Sequence, residues 1–137
     1  MPRFILKPVY FKILSIEIDP KFSDTYVNRG IMYYRQGDYA QAIVNYDKVI
    51  AINPKYAEAY YNRGVIFTKQ KKLPQALSDF TKAIELNPRY ADALTNRAIV
   101  EDNLGEINQA LLDDDKAIEI NPALVPVYNN RAIIFYK

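Results

Sequence analysis

Between Ala57 and Gln70 the chain reads AEAYYNRGVIFTKQ, fourteen residues without proline whose apolar positions fall at helical spacing. A polar turn, Lys71 and Lys72, follows, and a second run from Leu73 to Leu86, LPQALSDFTKAIEL, repeats the helical pattern. Pro74 stands where the first turn of a helix tolerates proline. The pattern predicts helix, tight turn, helix. Thirty-four residues further on, the phrase NPKYAEAYYNRG returns as NPRYADALTNRA, and thirty-four residues earlier it stands as DPKFSDTYVNRG. A fourth copy, NPALVPVYNNRA, opens at Asn121.

This interval divides the chain into three complete units, 19–52, 53–86 and 87–120, and a half unit, 121–137, with only a first helix. Residues 1–18 overlay the end of a unit, so they are expected to form a worn second helix. Each unit opens on Asn-Pro or Asp-Pro, because proline drives the residue before it out of the helical region and breaks the preceding helix. One helix pair cannot enclose its own apolar face, but stacked pairs can. The expected fold is all-α, a right-handed superhelical solenoid of antiparallel helix pairs in nearest-neighbour contact.

Composition narrows the chemistry. The chain has no cysteine, which excludes disulfides and thiolate metal sites, and no histidine, which removes the commonest general base and the commonest metal ligand together. A net charge of +2 is too small for a phosphate-tracking surface, so no nucleic-acid partner is expected. The apolar start, MPRFILKPVYFKILSIEI, is interrupted by Arg3, Lys7, Pro8, Lys12 and Glu17, and reads neither as a signal peptide nor as a membrane span. No catalytic residue, resident metal or cofactor is expected.

The unit resembles the tetratricopeptide repeat. Its signature of small and aromatic positions is met in the second unit by Tyr60, Gly64, Phe67, Ala76, Phe80, Ala83 and Pro88, and in the first by Tyr26, Gly30, Tyr33, Ala42, Tyr46, Val49 and Pro54. The third unit has Leu94, Ala98, Glu101, Ala110, Asp114, Ala117 and Pro122, and the half unit Tyr128, Ala132 and Phe135. Small residues suit close helix crossings and aromatics fill the space between paired helices. The resemblance implies a non-enzymatic module that binds a peptide segment or protein partner in a concave groove lined by first helices.

In that family the groove position corresponds to Asn28, Asn62, Asn96 and Asn130, one per first helix. An amide offers both donor and acceptor, so a ladder of asparagines can grip a peptide backbone without choosing its sequence. Their helix-face neighbours Asp24, Arg35, Glu58, Lys69 and Asp92 set charge preference, with Val27, Tyr61, Thr95, Tyr34 and Tyr136 offering selectivity. The competing reading is that asparagine merely solvates the helix face and duplication copied it. The family's carboxylate clamp for acidic chaperone tails shares Asn28 and Asn62, but it wants lysine where Asp24 and Asp92 stand and a basic residue in place of Asn96. A ligand with a neutral or basic segment is therefore expected.

Two further features stand out. Arg29, Arg63, Arg97 and Arg131 occupy a position where the family usually has leucine; a phosphate-tracking stripe is one reading, and pairing with acids such as Asp79 or Asp113 on second helices is the favoured one. In the third unit Glu101 and Asp114 replace the aromatic pairs Tyr33 with Tyr46 and Phe67 with Phe80. Pairing with a neighbouring arginine is the leading reading there; a hard-cation site that includes Asp102, or a loosened helix pair, is the alternative.

Two alternatives to a monomeric adaptor also follow from the ends of the sequence. Uncapped terminal helices would promote homo-oligomerisation, with Ile133, Ile134 and Phe135 as the contact residues, and the chain is otherwise the interaction arm of a longer protein.

Overall fold

The unit boundaries are set by side chains that act on the backbone. At Asn53, Asn87 and Asn121 the backbone N–H closes the preceding helix onto the carbonyls of Val49, Ala83 and Ala117. Each asparagine Oδ1 then accepts from the N–H two residues on, at Lys55, Arg89 and Ala123, at 3.3, 3.2 and 3.2 Å. This Asx turn stops the helix, and the following proline prevents its resumption.

The computed structural model describes residues 20–124. It contains six helices: α1 (Pro20–Arg35), α2 (Tyr39–Ile52), α3 (Ala57–Lys69), α4 (Leu73–Leu86), α5 (Ala91–Asn103) and α6 (Ile107–Ile120). No strand occurs among the described residues. The helix α4 has the bounds expected from sequence, and α3 ends one residue earlier than its pattern.

Within each pair the two helices are joined by one recurring turn. Its left-handed residue is Gly37 (φ 79°), Lys71 (φ 61°) or Gly105 (φ 85°). The N–H of the next residue reaches back across the turn, from Asp38 to Tyr33 O, Lys72 to Phe67 O and Glu106 to Glu101 O, at 2.9, 2.8 and 2.7 Å. Glycine adopts that backbone freely, whereas Lys71 must hold it with a Cβ. The second helix is then capped unevenly: Asp38 accepts the Gln41 N–H at 3.1 Å, while Lys72 and Glu106 give no side-chain cap.

The chain divides into two units, Met1–Ala59 and Tyr60–Lys137, the division falling inside α3. In the first, α1 packs on α2 through Gly30, where an added Cβ would lie 2.5 Å from Cε1 of the buried Tyr46. Burial pushes the Tyr46 hydroxyl up to about 12, with Glu58 and Tyr34 adding to the effect. In the second, Gly64 meets Phe80 in the same way, with Cε1 2.9 Å from an added Cβ. Phe80, Ala76 and Val100, all fully buried, centre a core against which Tyr61, Val65, Phe67, Leu73 and Leu77 pack. Burying one side chain the size of Phe80 stabilises the fold by roughly 1.5 to 3 kcal/mol. A smaller cluster, Ala98 and Ala110 with Ile107 and Leu111, joins α5 to α6.

Candidate functional site

The helix period decides which side chains of α3 and α5 face the core and which remain available. Arg63 and Arg97 turn toward the second helix of their own pair and are engaged there. Arg63 donates from Nε and Nη2 to the two oxygens of Asp79, both at 2.8 Å, and Asp79 is 4% exposed. Arg97 makes the same fork to Asp113, at 2.5 and 2.8 Å, and also donates to Thr81 Oγ1 of α4 at 3.4 Å. The hydrogen bonds that Arg97 donates to Asp113 hold its guanidinium above its ordinary range, against the opposing effect of burial. These contacts bear out the acid-pairing reading for both arginines.

The first pair lacks this fork. Asn45 stands at the position of Asp79 and Asp113, is fully buried, and donates from Nδ2 to Gln41 O at 2.8 Å. Arg29 is exposed and lies over the Tyr26 ring at 5.7 Å from its centroid. Arg131 lies outside the described residues.

Glu101 is drawn into the Arg97 network. Its Oε1 sits 3.5 Å from Arg97 Nε, and burial followed by the nearby Asp113 carboxylate pushes its pKa up to about 8, with Arg97 pulling the other way. Asp114 is fully buried and engaged. The register of the other units places Glu101 with Asp114; the structure gives it Arg97 and Asp113 as charged neighbours. No group of three or more ligating side chains suited to a metal ion occurs among the described residues.

The asparagine position lies one residue before each arginine, about 100° round the helix. Asn28 is exposed, and Asn62 and Asn96 are half-buried. Asn96 donates from Nδ2 to the Tyr61 hydroxyl at 3.1 Å, and its carbonyl oxygen accepts no hydrogen bond among the described residues. Tyr61 packs on Tyr90 with ring centroids 5.0 Å apart and on Phe80 at 6.0 Å, so this hydroxyl is anchored through the core. The Nδ2 of Asn62 is enclosed without an acceptor among the described residues.

The remaining groove candidates sort by exposure. Asp24, Arg35, Glu58, Lys69 and Asp92 are exposed, the acids toward the starts of their helices and the bases in the last turns. Val27 is only 2% exposed and belongs to the core of its unit, and Thr95 is buried with its hydroxyl donating to Ala91 O at 3.0 Å. Tyr34 stacks on Tyr39 at 5.6 Å. Asn130, Tyr136, Ile133, Ile134 and Phe135 lie outside the described residues.

Sequence reasoning missed Tyr56 and Tyr90. Tyr56 donates its hydroxyl to Asp24, and Tyr90 covers Tyr61. The signal was present, an aromatic two residues after the proline in DPKF, NPKY and NPRY. A hollow of ≈ 560 Å³ lies elsewhere, lined by Tyr60, Arg63, Leu77, Asp79, Lys82 and Glu85 among others. Arg63 and Asp79 are both in its lining, and no asparagine of the ladder borders it among the described residues.

Comparison with known families now bears on this arrangement. Tetratricopeptide-repeat signatures match residues 57–90, residues 14–44 with 80–111, and, as a TPR repeat, residues 30–71. Together they run without a gap from 14 to 111. The chain belongs to the tetratricopeptide-repeat family. Its fold class is the all-α tetratricopeptide-repeat helical solenoid.

Solved tetratricopeptide-repeat structures resemble it closely. The first TPR of Spaghetti (RPAP3) bound to the HSP90 peptide SRMEEVD is 26% identical, with a TM-score of 0.83 over 86% of this chain and 94% of that one. The second TPR domain of human RPAP3, in complex with the HSP70 peptide SGPTIEEVD, is also 26% identical, at 0.80 over 85% and 98%. The crystal structure of MamA is 27% identical, at 0.79 over 91% and 73%. No curated protein sequence matches the chain. No helix among the described residues is long and apolar enough to cross a membrane.

Proposed function

We propose that the chain is a non-catalytic interaction module that holds a peptide segment of a protein partner on its first helices. The observation that carries this reading is the difference between adjacent positions on α3 and α5. The arginines are consumed by Asp79 and Asp113, whereas the asparagines beside them retain hydrogen-bonding capacity. The Asn96 carbonyl accepts a backbone N–H, and the Asn62 amide, turned about its terminal torsion, donates to a backbone carbonyl. Structural neighbours that hold chaperone peptides support the class of ligand.

The same likeness does not carry over an acidic tail. Asp24 and Asp92 occupy sites that would need positive charge for that purpose, so like-charge repulsion opposes such a peptide.

Affinity capture from a lysate tests the reading by comparing the wild type with the triple variant Asn28→Ala, Asn62→Ala, Asn96→Ala at matched helicity. Each lost amide contact costs about 1 kcal/mol, so the triple variant should weaken a groove partner by over a hundredfold, roughly 3 kcal/mol. A protein retained by the wild type and lost by the variant supports the ladder. Equal capture moves the binding surface to another face.

A further inference from the structure

Resting on that peptide-binding reading, we infer that the surface formed by Tyr61, Tyr90, Asp92 and Asn96 is a subsite for an arginine side chain of the bound segment. Its three elements are an aromatic surface, an acid and an amide acceptor. Tyr61 and Tyr90 supply the first, with ring centroids 5.0 Å apart, planes inclined by 34° and both rings half-buried. A guanidinium lies flat on such a face, attracted to the negative side of the ring.

Asn96 is fixed by its bond to the Tyr61 hydroxyl, so its carbonyl oxygen has a set position from which to accept a guanidinium N–H. Asp92 lies one helical turn before Asn96, on the same face of α5, and is exposed. About half a positive charge at the helix start offsets part of the Asp92 charge and leaves the site net negative.

The repeat itself shows what distinguishes Asp92. Its counterpart Asp24 already accepts the hydroxyl of Tyr56. For Asp92 the corresponding residue of the following unit is Leu124, which has no hydroxyl to offer. The chain's own rival cation, Arg89, is exposed and makes no ion pair with Asp92 among the described residues. Lys69, at the far end of α3, stands two turns beyond Asn62, about 10 Å along the axis. The subsite is therefore locally acidic and aromatic on a chain that is basic as a whole.

The test uses three capped nonapeptides of alanine and glycine, identical except for a central arginine, glutamine or glutamate, titrated into the full ¹⁵N-labelled chain. The arginine peptide should shift the amides of Tyr61, Tyr90 and Asn96 with about tenfold higher affinity than the glutamine peptide, and the glutamate peptide should bind more weakly than either. Asp92→Asn, an exposed and nearly isosteric change, should bring the arginine-to-glutamine ratio to within about twofold. Equal affinities for all three peptides at these amides, or a ratio indifferent to Asp92→Asn, would overturn the arginine subsite and leave the peptide-binding reading standing. If none of the peptides moves these amides up to millimolar concentration, both fall.

Discussion

Arg63→Leu restores the residue the family usually has at that position, yet it should be among the more damaging single changes in the chain. The reason is the state in which it leaves Asp79. That carboxylate is 4% exposed and held by a two-point fork at 2.8 Å, so removing the guanidinium strands a charge away from water. Breaking a buried pair from one side costs roughly 3 to 5 kcal/mol. The opposite single change is milder. The Arg63 side chain keeps 21% of its surface exposed, so after Asp79→Ala its charged end can turn to solvent, and the loss should be about 1 to 2 kcal/mol. The double variant removes both charges and should return to within about 1 kcal/mol of the wild type. Urea unfolding of all four proteins, followed by helical circular dichroism, completes the cycle. A coupling energy of about 3 to 6 kcal/mol is expected, with Arg63→Leu the worst of the set. Additive single effects, or an Asp79→Ala penalty equal to that of Arg63→Leu, would refute the buried-fork account and return the arginines to a surface role.

Two other perturbations follow from local geometry. Lys71→Gly replaces a side chain held at φ 61° and should raise stability by about 1 kcal/mol, shifting Tm upward by roughly 3 to 6 °C; an unchanged or lower Tm in thermal unfolding would contradict the strain. Because the folded state holds the Glu101 proton up to about pH 8 while the unfolded chain releases it near 4.5, the Glu101 contribution is greatest at low pH and declines as pH rises between those values. Stability of the wild type relative to Glu101→Gln should therefore fall by a few kcal/mol from pH 5 to pH 8; parallel pH profiles would show that Glu101 is ionised throughout.

The helices were legible because their signals are local. A 34-residue interval, a proline after each Asn or Asp and apolar positions at helical spacing place α4 to the residue and α3 to within one. The Arg63 and Asp79 contact was also readable, since both residues face across one antiparallel pair. The Asn96, Tyr61 and Tyr90 constellation was not. It joins side chains 29 and 35 positions apart, from three successive stretches of backbone, and its geometry depends on how first helices pack against each other. Likewise the aromatic register directs Glu101 to Asp114, while an arginine one turn away on its own helix redirects it toward Asp113. A long, strongly charged neighbour outweighs a position inherited from a packing pattern.

The third repeat shows how such a change can be absorbed. In the first two, the ring of Tyr46 or Phe80 lies so close to Gly30 or Gly64 that no Cβ fits without displacement. In the third, the corresponding residues are Ala98 and Asp114, both fully buried. Loss of the ring makes room for a methyl group, and the acid that replaces it directly follows Asp113, which is bound to Arg97. Across this pair Arg97, Asp113 and Glu101 form a charge network whose strength depends on protonation. The helix that bears this network on one face bears Asp92 and Asn96 on another. A rigid α5 is what the arginine subsite requires, because an amide acceptor and an acid one turn apart recognise a planar cation only while the turn between them holds.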